Sequence, residues 1–100
     1  MNFVTDVQVQ SALGCAPPKP GLTLGIRPEA LELVPFGGLV IDARVVEMLG
    51  ASQQINASVA GCLLRVSTAA HPTVHAGQAV RVSARPGSAR WYDSQNRLVA

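Results

Sequence analysis

The chain has 100 residues, of which 48% are hydrophobic, 14% charged and 4% aromatic, and its formal charge is +2. That length fits one domain, which buries roughly 60–70% of the surface its unfolded state exposes, enough for one modest core. No apolar run approaches the roughly 18–20 residues of a membrane span, no secretory signal pattern opens the chain, and the charge argues for neither nucleic acid nor an anionic membrane. A soluble, cytoplasmic protein is expected. Its two cysteines, Cys15 and Cys62, read as free thiols: a cytosolic chain keeps thiols reduced, and Cys62 falls in phase with a buried strand face.

Alternation of apolar and polar residues recurs along the chain, and helical periodicity is nearly absent. A first strand is expected from Phe3 to Val9, with Phe3, Val7 and Val9 on its apolar side. The run Gly14-Cys15-Ala16-Pro17-Pro18-Lys19-Pro20-Gly21 then excludes regular structure and reads as a crossover. Leu22, Leu24 and Ile26 make the next buried row, which ends before Pro28. Residues Glu29 to Leu33 allow one helical turn before Pro35 and Gly37-Gly38 close it.

Leu39 to Leu49 is the longest strand candidate, with a break of phase at Val45-Val46 of the kind a bulge produces. Gln54, Asn56 and Ser58 alternate with Ile55, Ala57 and Val59. Ala60-Gly61 turns a hairpin, and Cys62, Leu64 and Val66 return on the buried side. After the loop around His71-Pro72, Val80, Val82 and Ala84 oppose Arg81, Ser83 and Arg85. Trp91-Tyr92 and Leu98-Val99 flank Asp93-Ser94-Gln95-Asn96, a final hairpin turn. Six or seven short strands with Gly and Pro punctuation indicate an all-β fold, an antiparallel barrel or sandwich closing on itself to hide its edges.

Chemistry is sparse. The chain lacks a Gly-x-x-x-x-Gly-Lys-Ser/Thr loop for nucleotide phosphates, and no acid–base or nucleophile pair is placed by spacing, so no catalytic residue is expected. His71 and His75 lie four apart, but Pro72 breaks the helix that would align them and no other ligand is near, so they read as loop histidines and no metal site is expected. Arg81, Arg85, Arg90 and Arg97 could form a basic face, although only Phe3, Phe36, Trp91 and Tyr92 are available to stack bases. A solvated polar exterior accounts for them.

Arg27 and Glu29 are better candidates. Pro28 fixes the backbone between them, so a bidentate Arg–carboxylate bond could brace this corner internally or lock it to another domain or subunit. Trp91, followed by Tyr92-Asp93, reads either as an interface anchor or as barrel-end packing.

The ordered set Met1-Asn2-Phe3, Leu24-Gly25-Ile26-Arg27-Pro28-Glu29, Val46-Glu47-Met48-Leu49-Gly50, Ala76-Gly77-Gln78-Ala79-Val80 and Tyr92-Asp93 before Arg97-Leu98 resembles the transport-associated OB-like (TOBE) domain. That domain ends the ATPase subunits of maltose-type and glycerol-phosphate-type ABC importers. The resemblance spans essentially the whole chain, with an opening strand and Pro-rich crossover over residues 1–21 and the main barrel over 22–100. It implies a small OB-like β-barrel without chemistry or cofactor of its own, belonging to a longer subunit in which ATP and Mg²⁺ are bound elsewhere.

The implied partners are the ATPase domain of the same chain, a second copy of the subunit and, indirectly, a membrane permease, with no nucleic acid. The implied location is cytoplasmic, peripheral to the inner membrane through the transporter complex. The implied role is regulation and support of the dimer during import of a sugar or similar small solute; in such a subunit Arg27, Glu29, Trp91 and Asp93 are the residues that could make interdomain or intersubunit contacts. One departure is the short segment from Val4 to Leu24, which implies a pared-down, incompletely closed barrel. The other reading is a stand-alone module for molybdate-like oxyanions, with Ser52, Ser67 and Thr68 near the turns.

Overall fold

Segments whose apolar residues recur at every second position must pair if one face is to be buried, and they do. In the computed structural model, which describes residues 1–100, nine strands form: β1 (Asn2–Val4), β2 (Thr23–Ile26), β3 (Leu31–Leu33), β4 (Leu39–Asp42), β5 (Val45–Leu49), β6 (Ser52–Val59), β7 (Cys62–Ala69), β8 (Ala79–Ala84) and β9 (Arg90–Tyr92). They make three three-stranded sheets ordered β1-β2-β9, β3-β8-β4 and β5-β6-β7, antiparallel throughout. The architecture is all-β and OB-like, and the sheets do not join into a closed barrel. The expected six or seven strands become nine because β3, three residues long, is too short for alternation to announce, and because the segment from Leu39 to Leu49 divides into β4 and β5.

The long strand expected from Leu39 to Leu49 is two strands, because the backbone changes partner at Ala43-Arg44. The Ala43 N–H donates to the Gln78 carbonyl at 2.9 Å, on the β8 side, whereas the Arg44 N–H donates to the Asn56 carbonyl of β6 at 2.9 Å. The burial phase breaks here too: Ile41 and Ala43 are buried, Val45 is exposed and Val46 half-buried. One stretch of chain thus serves two sheets and turns the corner between them. Pro28–Ala30 forms a 3₁₀ turn with Pro28 at its first position, where a missing N–H costs nothing, and β3 follows at once.

The expected strand from Phe3 to Val9 is corrected. Only β1 is extended; Val7–Ala12 is a six-residue helix, α1. Asp6 caps it, its Oδ1 accepting the Gln8 N–H at 2.8 Å and the Val9 N–H at 3.1 Å, which satisfies two donors that a helix start leaves free. The helix ends in a Schellman motif: Gly14 has φ +88°, its N–H donates to Ser11 and the Cys15 N–H donates to Gln10, both at 2.9 Å. This places Val9, Leu13 and Cys15 in the core and leaves Val7 in solvent. The capping residues and the docking of one face outweigh the β-like alternation of Val7 to Gln10.

The core is a single cluster of 17 buried residues, to which all three sheets contribute: Leu24, Ile26 and Trp91 from the first, Leu31, Ile41 and Val82 from the second, Ile55, Leu64 and Val66 from the third. Three buried amide side chains staple the irregular segments to it. Gln10 Nε2 donates to Val4 and Leu22 carbonyls at 2.9 and 3.1 Å, joining the two ends of the crossover. Gln53 Nε2 donates to Ala69 and Pro72 while its Oε1 accepts the Val74 N–H, which holds the loop after β7 against β6. Asn2 Nδ2 donates to the Arg65 carbonyl at 2.7 Å and its Oδ1 accepts the Arg65 N–H at 2.8 Å. That amide does for β7 what a neighbouring strand would do, and ties the first sheet to the third.

Candidate interaction surface

Strand β2 passes between β1 and β9, with Asn2 opposite Ile26, Phe3 opposite Gly25, Leu24 opposite Trp91 and Gly25 opposite Arg90. Directly paired residues share a face. Asn2, Val4, Leu24, Ile26 and Trp91 therefore point inward, and all are buried. Phe3, Thr23, Gly25, Arg90 and Tyr92 occupy the outer face, where Leu98 joins them by its bridge to Tyr92.

Phe3 is thus turned out, 53% exposed, opposite to the direction its alternation with Val7 and Val9 suggested. The reason is Asn2, a polar residue drawn inward by its two hydrogen bonds to Arg65. The ring of Phe3 meets Tyr92 edge-on, centroids 5.9 Å apart. Gly25 makes room: a Cβ there would lie 2.6 Å from Tyr92 Cε2 and 3.0 Å from Met1 Sδ. Met1, Phe3 and Tyr92 therefore collect over the bare backbone of Gly25 as one apolar pad.

Of the residues singled out in the sequence, Trp91 is 6% exposed and belongs to the core, so it is barrel packing and Tyr92 is the surface aromatic. Asp93 organises the last turn. It accepts the N–H groups of Gln95 and Arg97, each at 2.9 Å, and pairs with Arg97 Nε at 3.0 Å. The Arg97 N–H foremost, with the other donors beside it, holds the carboxyl below the usual aspartate range. Arg27 and Glu29 are both exposed, and neither side chain has a hydrogen-bond or ion-pair partner in the chain. The internal brace between this corner and a neighbouring loop does not form.

The four arginines considered for a basic face, Arg81, Arg85, Arg90 and Arg97, each have a partner within the chain. Arg85 pairs loosely with Glu32 at 3.8 Å, Arg81 donates to the Gly37 carbonyl at 3.2 Å, and Arg90 donates to the carbonyls of Gly87 and Ala89. His71 and His75 are exposed in their loop, and Cys15 and Cys62 are free thiols. Burial pushes the Cys15 thiol up. The hydroxyls considered for an oxyanion are divided. Thr68 lies opposite Gln53 on the inner face, whereas Ser67, opposite Gln54, and Ser52, opposite Leu49 and Ala69, lie on the outer one.

A groove of about 420 Å³ runs beside β8, lined by Val34, Pro35, Val40, Pro72, Val80 and Arg81 among others. A second, about 500 Å³, lies between α1 and the Pro-rich crossover and offers Thr5, Lys19 and Thr23 as polar groups. Neither brings together an acid–base or nucleophile pair. Contact surfaces are what the molecule presents most clearly: the outer pad and the exposed strand β5, whose Val45, Met48 and Leu49 are about half exposed along an unpaired edge.

These features define a small OB-like domain built around surfaces. Comparison with known proteins agrees: the profile of the TOBE domain matches residues 24–91, and the chain belongs to that family. The sn-glycerol-3-phosphate import ATP-binding protein UgpC of Jannaschia sp. (strain CCS1) is 32% identical over 73 residues, which cover 73% of this chain and 21% of that protein. The chain spans about a fifth of the length of that relative.

Proposed function

We propose that the chain is the C-terminal regulatory and dimer-supporting domain of the ATP-binding subunit of an ABC importer for a sugar or similar small solute. The single observation that carries this reading is the TOBE match over residues 24–91 together with a relative named as an import ATP-binding protein. The domain itself performs no chemistry and holds no cofactor; ATP and Mg²⁺ bind in the ATPase domain to which it is joined. Its partners are that domain, a second copy of the subunit and, through them, the membrane permease, which puts it on the cytoplasmic side of the membrane. Its work is mechanical. A contact that persists while the ATP sites open makes their re-closure intramolecular, at an effective concentration that for short tethers reaches roughly millimolar.

The exposed apolar edge of β5 supports a role in contacts, since unpaired strand edges of this kind are templates for pairing. The test is sedimentation of the full ATP-binding subunit with and without residues 1–100, in the absence of nucleotide. The subunit carrying the domain stays dimeric and the truncated one dissociates. Equal dissociation of the two contradicts a dimer-supporting role.

A further inference from the structure

We infer that the outer face of the β1-β2-β9 sheet is a docking surface for a protein segment with an apolar anchor flanked by carboxylates. Met1, Phe3 and Leu98 each leave about half of their surface to solvent, and with Tyr92 they form a continuous pad. The pad is built: Tyr92 and Met1 lie where a side chain at position 25 would stand. Rigid aromatic pads of this kind supply much of the energy at protein interfaces, because few rotamers are lost when they are covered.

Charge selects the occupant. The strands of this sheet contain no Asp or Glu, while Arg90 lies on β9 and Arg27 directly follows β2 on the outward phase. Neither guanidinium meets a carboxylate of this chain, and the one carboxylate of the adjoining hairpin, Asp93, is already paired with Arg97 at 3.0 Å. Two copies meeting face to face would bring the arginines of both into one interface, a like-charge juxtaposition that disfavours self-pairing. A carboxylate-flanked apolar segment satisfies both the pad and the arginines, which can grip carboxylates in bidentate fashion.

The test is an NMR titration of the ¹⁵N-labelled chain with the capped peptide Glu-Glu-Leu-Phe-Glu-Glu up to millimolar concentration, with Lys-Lys-Leu-Phe-Lys-Lys as control. The acidic peptide is expected to shift the amides of residues 2–4, 24–27, 90–92 and 98. Its affinity should fall about tenfold in the double variant Arg27→Gln/Arg90→Gln, whose exposed substitutions leave the fold intact, and the basic peptide should be inert. Equal response to both peptides, shifts confined to the groove beside β8, or no shift at all overturns the assignment. So does broadening of the same amides as the chain alone is concentrated, which marks a second copy as the occupant. A failed titration leaves the importer reading untouched, because that reading rests on the family match and not on this face.

Discussion

Replacing Asn2 with alanine removes two hydrogen bonds at once, and the structure fixes what they leave behind. Asn2 is 4% exposed and its amide satisfies both the N–H and the carbonyl of Arg65, at 2.8 and 2.7 Å. A neutral hydrogen bond contributes about 0.5–1.5 kcal/mol net, and buried groups left without partners cost more than the bonds alone. For Asn2→Ala the sum is roughly 2–3 kcal/mol, with partial rescue by water at the strand edge holding it there rather than higher. In a domain of this size that lowers the melting temperature by about 10–20 °C.

Asn2→Asp is the sharper probe. One carboxylate oxygen can still accept the Arg65 N–H, but the other then faces the Arg65 carbonyl, where Nδ2 used to donate. At neutral pH this variant should be no more stable than Asn2→Ala, and acid should restore part of the loss by protonating the carboxyl so that it donates again. Calorimetry and urea titration of the three proteins at two pH values make the comparison. An Asn2→Ala protein within about 0.5 kcal/mol of the parent, the range of ordinary surface substitutions, refutes the clamp.

The turn between β6 and β7 places Ala60 at φ +50° and Gly61 at φ +76°, so Ala60→Asn, which suits that conformation, should stabilise the domain by about 0.5–1 kcal/mol in urea titration. The Asp93 carboxyl is held below its ordinary value of 3.8; its contribution is therefore present above that value and lost as pH falls through the lower folded one. The stability gap between the parent and Asp93→Asn should close in that acid window and stay constant from pH 5 to 7, and a gap that is the same at pH 2 and pH 6 argues against the carboxylate's role. Dithiobis(nitrobenzoic acid) should label Cys62 in the native protein and reach Cys15 only on unfolding, since burial both encloses the Cys15 thiol and raises its pKa; equal rates at the two sites contradict this.

Much of the fold is legible in the sequence where one face of a strand is uniformly apolar. Leu22, Leu24 and Ile26, then Ile55 and Ala57, then Leu64 and Val66 alternate without fault, and all are buried. The hairpin after Val59 follows from Gly61, and the turn at Asp93 to Asn96 from its Asp and Asn, residues that tolerate or build turns. Legibility fails where a polar side chain points inward. Asn2 and Gln53 each occupy the buried phase of a strand, and Gln10 the buried side of a six-residue helix. Polarity alone assigns such residues to solvent, and only the backbone groups they bind, up to 63 positions away, explain their place.

The same failure reversed the direction of Phe3 and hid the pad. Its parts lie at positions 1, 3, 25, 92 and 98, and become neighbours only through the register of β1, β2 and β9. The brace proposed at Arg27 and Glu29 had geometry in its favour but no partner in the chain. Alpha helix α1 was missed because Val7-Gln8-Val9-Gln10 alternates like a strand, although Asp6 before it and Gly14 after it are the signals of a capped helix.

The most direct measurement on the central claim is the DNA sequence in frame upstream of the Met1 codon. An ATP-binding subunit predicts an uninterrupted frame encoding a Gly-x-x-x-x-Gly-Lys-Ser/Thr loop and the remainder of an ATPase domain. A stop codon followed by a translation start immediately before Met1 contradicts it.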